Sequence, residues 1–340
     1  MRWQRYVVFV VAALIPSTAF AGEGTVNLKV GKDAVEFFVG KDLVTRLHIA
    51  PSYAKPIFWP MHAPNGAPLT RSWPMIKDIP GESTDHPHQK SAWWCHGDII
   101  PENLELKSRI KGVDGVDFWS ENKGHGKQVV TKVSEPKIEK DKATLVLTVE
   151  WRTAEGEKIL DETRTIHFYN LGKARMIVVH SNLFASVTTI VFGDTKEGSF
   201  GVRVNDQIRA DKVGKGKIQN AEGLVAEKTT DAKNPCWGVV SDWCDYSGPI
   251  DGKQAGLAIL ADPKNPYPTA WHSRAYGLMA ANPFGRAKSF PSMKGKNDLV
   301  KIEKGGRLEL RYGMLLHDGD AESGQVAANY RRFVELRAKE

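Results

Sequence analysis

Two imidazoles separated by a single proline mark the most reactive stretch of this chain. The run Asp85-His86-Pro87-His88-Gln89-Lys90 is followed by Trp93-Trp94-Cys95-His96-Gly97-Asp98. A proline biases the residue before it towards extended backbone. His86 and His88 are therefore expected on the same side, about 7 Å apart at strand rise. Two imidazoles so placed suit a shared divalent metal, an acid/base pair, or one proton carrier with one substrate contact. Asp85, His96 and Asp98 are candidates to complete a ligand set or to fix a histidine tautomer. The spacing matches neither a zinc finger nor His-Glu-x-x-His, and both rings would equally serve as hydrogen-bonding groups of a folded loop.

Two further stretches carry chemistry-bearing side chains. Val116-Asp117-Phe118-Trp119-Ser120-Glu121 supplies two carboxylates and an indole, and in extended chain Asp117, Trp119 and Glu121 share a face. Paired carboxylates beside an aromatic platform suit acid/base work on a sugar, while an exposed turn is the plain structural alternative. In Pro268 to Gly277, an extended chain aligns His272, Arg274 and Tyr276 on one face, with Trp271 on the other. That face offers a proton carrier, a fixed cation and a phenol. Trp243-Cys244-Asp245-Tyr246-Ser247-Gly248 is a similar aromatic-polar run. There is no Gly-rich phosphate loop, nucleotide-binding fingerprint or Gly-x-Ser-x-Gly turn.

The elements that must position these residues read as β-structure. Thr144 to Trp151 alternates apolar Leu145, Leu147, Val149 and Trp151 with mostly polar residues, and Leu308, Leu310, Tyr312, Met314 and Leu316 repeat the pattern. Further strands are expected over 26–30, 35–39, 43–49, 163–168, 175–184, 200–204 and 256–260, separated by turns such as Leu171-Gly172-Lys173 and Lys304-Gly305-Gly306. Val326, Tyr330, Phe333, Val334 and Leu336 recur at close to helical spacing, so one C-terminal helix is expected. Strands with a single terminal helix imply an all-β fold, a large antiparallel β-sandwich formed by residues 22–340 as one domain.

Eight of the 18 prolines lie between Pro51 and Pro87, and seven between Pro235 and Pro291. Because proline is excluded from central strands, the segments 51–125 and 235–291 are expected to be mainly loops or edges. They also hold eight of the nine Trp outside the leader, so they are expected to form a lid or to line a cleft.

Residues 1–21 have the layout of a secretory signal peptide: Arg2 and Arg5, the apolar run Tyr6 to Ile15, and Ala19-Phe20-Ala21 before Gly22. Ten apolar residues are too few to cross a bilayer, which needs about 20 in a helix. The mature chain is thus expected to be periplasmic or secreted, with no integral membrane segment. The whole chain carries 47 Lys and Arg against 40 Asp and Glu, or +7, and loss of the two leader arginines makes it +5. Acids and bases are interspersed, which excludes a phosphate-tracking stripe, so no nucleic-acid partner is expected. Cys236 and Cys244 bracket a span that a disulfide could close, and Cys95 is expected to be a buried apolar residue.

The motifs Asp85-His86-Pro87-His88, Val116 to Trp119, Phe192-Gly193-Asp194, Gly201-Val202-Arg203, Trp243 to Gly248 and Trp271 to Gly277 together resemble the secreted bacterial PmoA-like family. The likeness runs from about Pro56 to Gly313 and departs from the family pattern at Gln89 to Ser91. The family's "methane oxygenase" label comes from a membrane-bound subunit, and the residues here do not carry that activity. The resemblance implies a β-sandwich of the galactose-mutarotase type, found among bacterial glycan-degradation proteins.

The combined expectation is an exported carbohydrate-active enzyme acting on a sugar or glycan as epimerase, lyase or hydrolase. His86, His88, Asp117, Glu121 and His272 would perform acid/base chemistry. Trp93, Trp119, Trp271, Arg203, Arg274 and Tyr276 would bind substrate. No cofactor is called for beyond a divalent metal at His86 and His88. A non-catalytic glycan-binding protein and a metal-dependent enzyme are the alternatives.

Overall fold

Alternating burial builds the larger sheet of the protein. The structure is a computed structural model and describes residues 24–340; the expected signal peptide lies outside the described residues. Strand Lys142–Arg152 buries Ala143, Leu145, Leu147, Val149 and Trp151 on one face, with half-buried residues between them. It pairs with Lys158–Asn170, which pairs with Ala174–Phe184 through a turn where Gly172 takes φ +83°, a left-handed backbone that favours glycine. The full sheet has ten strands. In spatial order they are Val225–Glu227, Lys217–Asn220, Trp243–Ile250, Lys253–Ala261, Arg307–Asp318, Ala174–Phe184, Lys158–Asn170, Lys142–Arg152 and Lys127–Val133, with Lys137–Ile138 also paired to Lys142–Arg152.

An eight-stranded sheet faces it, in the order Val26–Val30, Ala34–Val39, Asp42–His48, Ile57–Met61, Ala92–His96, Gly198–Arg203, Leu278–Asn282 and Ala270–Arg274. A small sheet of Val300–Ile302, Ile190–Phe192 and Ile99–Pro101 adjoins them. Every pairing is antiparallel. The two large sheets share one apolar core. Across it Phe37 meets Phe168 edge-on at 5.6 Å, and Trp94 and Phe200 meet Tyr312 at 6.2 and 5.8 Å. The fold is thus the expected antiparallel β-sandwich.

The expected helix is Val326–Leu336, and it covers the outer face of the ten-stranded sheet. Its Phe333 lies against Gly313, where an added Cβ would come within 3.1 Å of the ring. This cover explains why most of Arg307–Asp318 is buried on both faces: Leu308, Leu310, Tyr312, Met314 and Leu316 face the core, while Leu315 packs under Val326 and Phe333. Arg311 sits in the same layer, 2.9 Å from Asp262 and 2.7 Å from Glu340.

The two proline-tryptophan segments are mainly loop and edge, as expected, but each also supplies interior strands. The first contains Ile57–Met61, Ala92–His96 and Ile99–Pro101, and the second contains Trp243–Ile250, Lys253–Ala261, the edge strand Ala270–Arg274 and Leu278–Asn282. Ala92–His96 and Leu278–Asn282 are interior strands buried at every residue, because loops cover the face turned away from the core. Their tryptophans are therefore mainly packing groups. The cysteines are free: Cys95, Cys236 and Cys244 are all buried, and no disulfide closes the 236–244 span. Burial pushes the Cys95 and Cys236 thiols up to about 12.

Candidate functional site

Register places four residues in one row across the last four strands of the eight-stranded sheet. Trp93 pairs with Gly201, Gly201 with Ala280, and Ala280 with His272, so all four side chains share a face. The small pair at the centre leaves a trough between the two large ends. The Trp93 indole leans over Gly201 so closely that a Cβ there would lie 2.7 Å from its ring atoms. Trp119 spans the trough, edge-on to Trp93 at 5.1 Å and nearly parallel to His272 at 6.4 Å. One step along the same face stand Arg203 and Arg274.

Arg71 and Arg203, both fully buried, draw the loop 83–89 onto this face. Arg71 donates to the Ser83 hydroxyl at 3.0 Å, the Asp85 carboxylate at 2.5 Å and the Asp85 carbonyl at 2.9 Å. Arg203 donates to the same Asp85 oxygen at 2.7 Å and to Gln89 Oε1 at 2.7 Å. Burial alone would raise the Asp85 pKa, but the two guanidinium groups outweigh it and hold the carboxyl below its usual range.

Asp85 Oδ2 lies 3.1 Å from His86 Nδ1. A carboxylate only accepts, so Nδ1 is the donor; in the neutral ring Nε2 then carries the lone pair, and it has no hydrogen-bond partner among the described residues. His86 has φ +47° and a side chain 41% exposed, and its ring stacks on Tyr276 at 5.1 Å and 5°. A non-glycine residue in this backbone region costs energy and recurs at functional sites. Arg203 also faces the Tyr276 ring, at 4.7 Å.

His88 stands edge-on to His86 at 5.7 Å and 6.4 Å from Trp119. Burial, reinforced by Lys55 and His86, lowers its pKa to about 3, so the ring is neutral at physiological pH. His272 is also neutral: burial and Arg274 push its pKa far down, and Arg274 Nε donates to its Nε2 at 3.0 Å. That lone pair is occupied. His272 therefore positions Arg274, which corrects its expected role as a proton carrier. Arg274 also faces Trp237 at 5.3 Å and Asp231 at 3.7 Å.

Neither expected carboxylate is free. Asp117 closes its own turn, with Oδ1 accepting from Trp119 N at 2.6 Å and Ser120 N at 3.1 Å, and Oδ2 from the Ser120 hydroxyl. Glu121, at φ +55°, does not line the cavity and is held between Lys55, at 2.8 Å, and Lys90. Burial would raise the Glu121 pKa, but the two ammonium groups win and keep it low. Four other expected roles also change. Trp93, Trp119 and Trp271 are 1%, 1% and 0% exposed, leaving no open face for a sugar to stack on although Trp119 lines the cavity, and Trp271 donates to the Ser241 carbonyl. Arg203 supports the site from behind Asp85 and Gln89.

The remaining groups converge. His86, His88, Asp117, Trp119, His272, Arg274 and Tyr276 line one cavity of about 510 Å³. Lys196, Glu197 and Asp231 complete its polar wall, and Gln89 joins the rim. Lys196, Glu197 and Asp231, like Arg71, do not stand out in the sequence, because each reaches the site from outside the runs that carry the histidines, whereas Gln89 directly follows His88. Among the described residues no group of three or more His, Cys, Asp or Glu is arranged to hold a metal ion, so His86 and His88 alone would offer two protein ligands. No helix among the described residues is long and apolar enough to cross a membrane.

No curated protein matches the chain. Among solved structures it is similar to a glycoside hydrolase family 97 enzyme variant from Pseudoalteromonas sp. strain K8, at 11% identity and TM-score 0.39, covering 83% of this chain and 35% of that one. An α-galactosidase from Lactobacillus brevis gives 9%, TM-score 0.43, 87% and 40% by the same measures. A galactose mutarotase related enzyme from Lactobacillus acidophilus gives 9%, TM-score 0.35, 86% and 97%. This chain thus spans well under half the length of either hydrolase. Residues 34–331 match the family of unknown function designated DUF6807, and the chain belongs to that family.

Proposed function

We propose that the chain is a carbohydrate-active enzyme that performs proton transfer on a sugar held in the cavity beside His86. One observation carries this reading. His86 has its Nδ1 fixed on a carboxylate that two buried arginines keep ionised, and its unpartnered Nε2 belongs to a residue lining the cavity. An imidazole held this way accepts a proton at Nε2, and Asp85 stabilises the imidazolium that forms. The proton would come from a sugar hydroxyl, or from a carbon beside a carbonyl. Ring opening, epimerisation and elimination share that first step. Hydrolysis by paired carboxylates has less support, since the oxygens of Asp117 and Glu121 are already engaged. Arg274 and the Tyr276 hydroxyl would orient the substrate oxygens.

A binding-only role is the second reading, favoured by the neutral rings of His88 and His272. Leader-like residues 1–21 and the likeness to secreted PmoA-like proteins support a site of action outside the cytoplasm. The test is turnover of a sugar panel, followed by NMR for anomer exchange, epimers and unsaturated products. His86→Gln should lower turnover by about 10²–10⁴ while leaving binding in place. Full turnover by that variant would remove His86 from the chemistry. Sugars that bind wild type without conversion would establish the binding-only role. Loss of activity on chelation, with one ion per chain, would favour the metal-dependent alternative.

A further inference from the structure

A second chamber of about 730 Å³ lies beside the cavity at His86, and Gly97, Gly112, Val113, Thr195, Lys196 and Arg274 line both. Either volume alone lies within the range of about 300–1,000 Å³ usual for a small-molecule site. Two adjacent chambers with lining residues in common are placed to hold successive units of a ligand longer than one compact molecule.

The lining of the second chamber indicates what kind of ligand this is. Its charges balance: Asp98, Asp114 and Asp194 against Lys196, Arg274 and Lys288. A polyanion would meet three carboxylates there, and a polycation three basic groups. Several of the charges are also committed. The Asp98 carboxylate accepts from Gly115 N at 2.7 Å, and Asp194 accepts from the backbone N–H groups of Arg286 and Lys288 at 2.7 and 3.0 Å. Lys196 is paired with Glu197. What remains is a wall of mixed donors and acceptors, with Trp237 and the half-exposed Leu299 supplying apolar surface. Such a surface suits a neutral polyhydroxylated chain, whose rings present hydroxyls at the edge and C–H groups on the face.

We infer that the second chamber is an extension subsite and that the substrate is a neutral oligosaccharide. Its reacting unit lies at His86 and its further units run past Arg274 towards Trp237 and Leu299. This inference rests on the sugar reading of the first chamber and adds substrate length and charge to it.

The test is calorimetric titration of the full chain with malto-, cello-, xylo- and galacto-oligosaccharides, from monosaccharide to pentasaccharide, with oligogalacturonides as the charged arm. In the neutral series that binds, affinity should rise about tenfold or more from monosaccharide to trisaccharide, equivalent to about 1.4 kcal/mol. Ser289→Trp and, separately, Leu299→Trp place bulk in the second chamber and should abolish that gain while leaving monosaccharide affinity unchanged. The thermal transition of each variant checks that it folds. A length-independent affinity in wild type, or the same gain in both folded variants, would refute the extension subsite and leave the sugar reading intact. Preferential binding of oligogalacturonides would refute the neutral assignment. If no sugar of any length binds wild type, the sugar reading falls and the extension with it.

Discussion

Replacing Gly201 with alanine adds one methyl group at the most confined point beneath the site. The new Cβ would lie 2.7 Å from two Trp93 ring atoms and 3.1 Å from the indole nitrogen. That ring cannot swing away freely, because Trp93 is 1% exposed and braced by Trp119 at 5.1 Å. Overpacking of this kind costs about 1–3 kcal/mol. The lower entropy of alanine in the unfolded chain offsets about 0.4–1 kcal/mol of it. A net loss of about 1–2 kcal/mol is expected from Gly201→Ala, read by urea denaturation with the m-value unchanged. Because the strain passes through Trp93 to Trp119, ligand affinity should fall as well. Trp93→Phe removes the offending part of the ring, so in that background the same substitution should cost no more than about 0.5 kcal/mol. An equal cost in both backgrounds would refute the claim that Gly201 exists to seat the indole.

Other perturbations test the remaining features. Glu121→Gln leaves Lys55 and Lys90 without their shared counter-charge and should cost up to about 3–5 kcal/mol in denaturant, without moving the pH profile of turnover. Glu340→Ala strips two hydrogen bonds from buried Arg311 and one from Tyr169, and since Asp262 stays in place the expected loss is about 1–3 kcal/mol in thermal or chemical unfolding. Burial works against the His317 proton, but Asp245 at 2.8 Å raises the pKa above 6.5. Its contribution to stability is thus complete below pH 6.5 and lost as pH climbs through the folded value, a dependence that Asp245→Asn should abolish. His88 has the opposite sign: with its folded pKa lowered to about 3, it costs stability as pH falls below 6.5, and His88→Gln should flatten that acid limb.

Strands with one wet face were legible from sequence. Lys142–Arg152 shows why: its alternation is the chemical record of one face in the core and one half in water. Arg307–Asp318 was found by the same signal, although its second face is buried by the helix, because Arg311 and His317 keep that face polar. Ala92–His96 and Leu278–Asn282 carry no alternation, since both of their faces are dry, and local prolines made them look like loops. The site was half legible for a related reason. His86, His88, Trp119, His272, Arg274 and Tyr276 announced themselves by type and spacing, and all line the cavity. Whether an imidazole is free or occupied depends on partners far along the chain. Asp85 holds His86 because Arg71 and Arg203 hold Asp85, whereas Arg274 claims the lone pair of His272. Trp93 and Trp271 look alike in sequence, and only the register of four strands puts Trp93 on the face of the trough and Trp271 on the opposite face.

The three buried thiols provide a built-in gauge of opening. A cysteine with its pKa near 12 and no solvent contact is silent towards alkylating and oxidising reagents while the chain is closed. Modification then measures how often each region exposes its interior. Cys95 lies in an interior strand, flanked by Trp94 and His96, and should report the cooperative disruption of the whole sandwich. Cys236 lies between strands, where its thiol donates to the Leu224 carbonyl at 3.4 Å, and should report smaller excursions of the second proline-rich segment. The ratio of the two labelling rates gives a fluctuation map of the scaffold without any introduced probe.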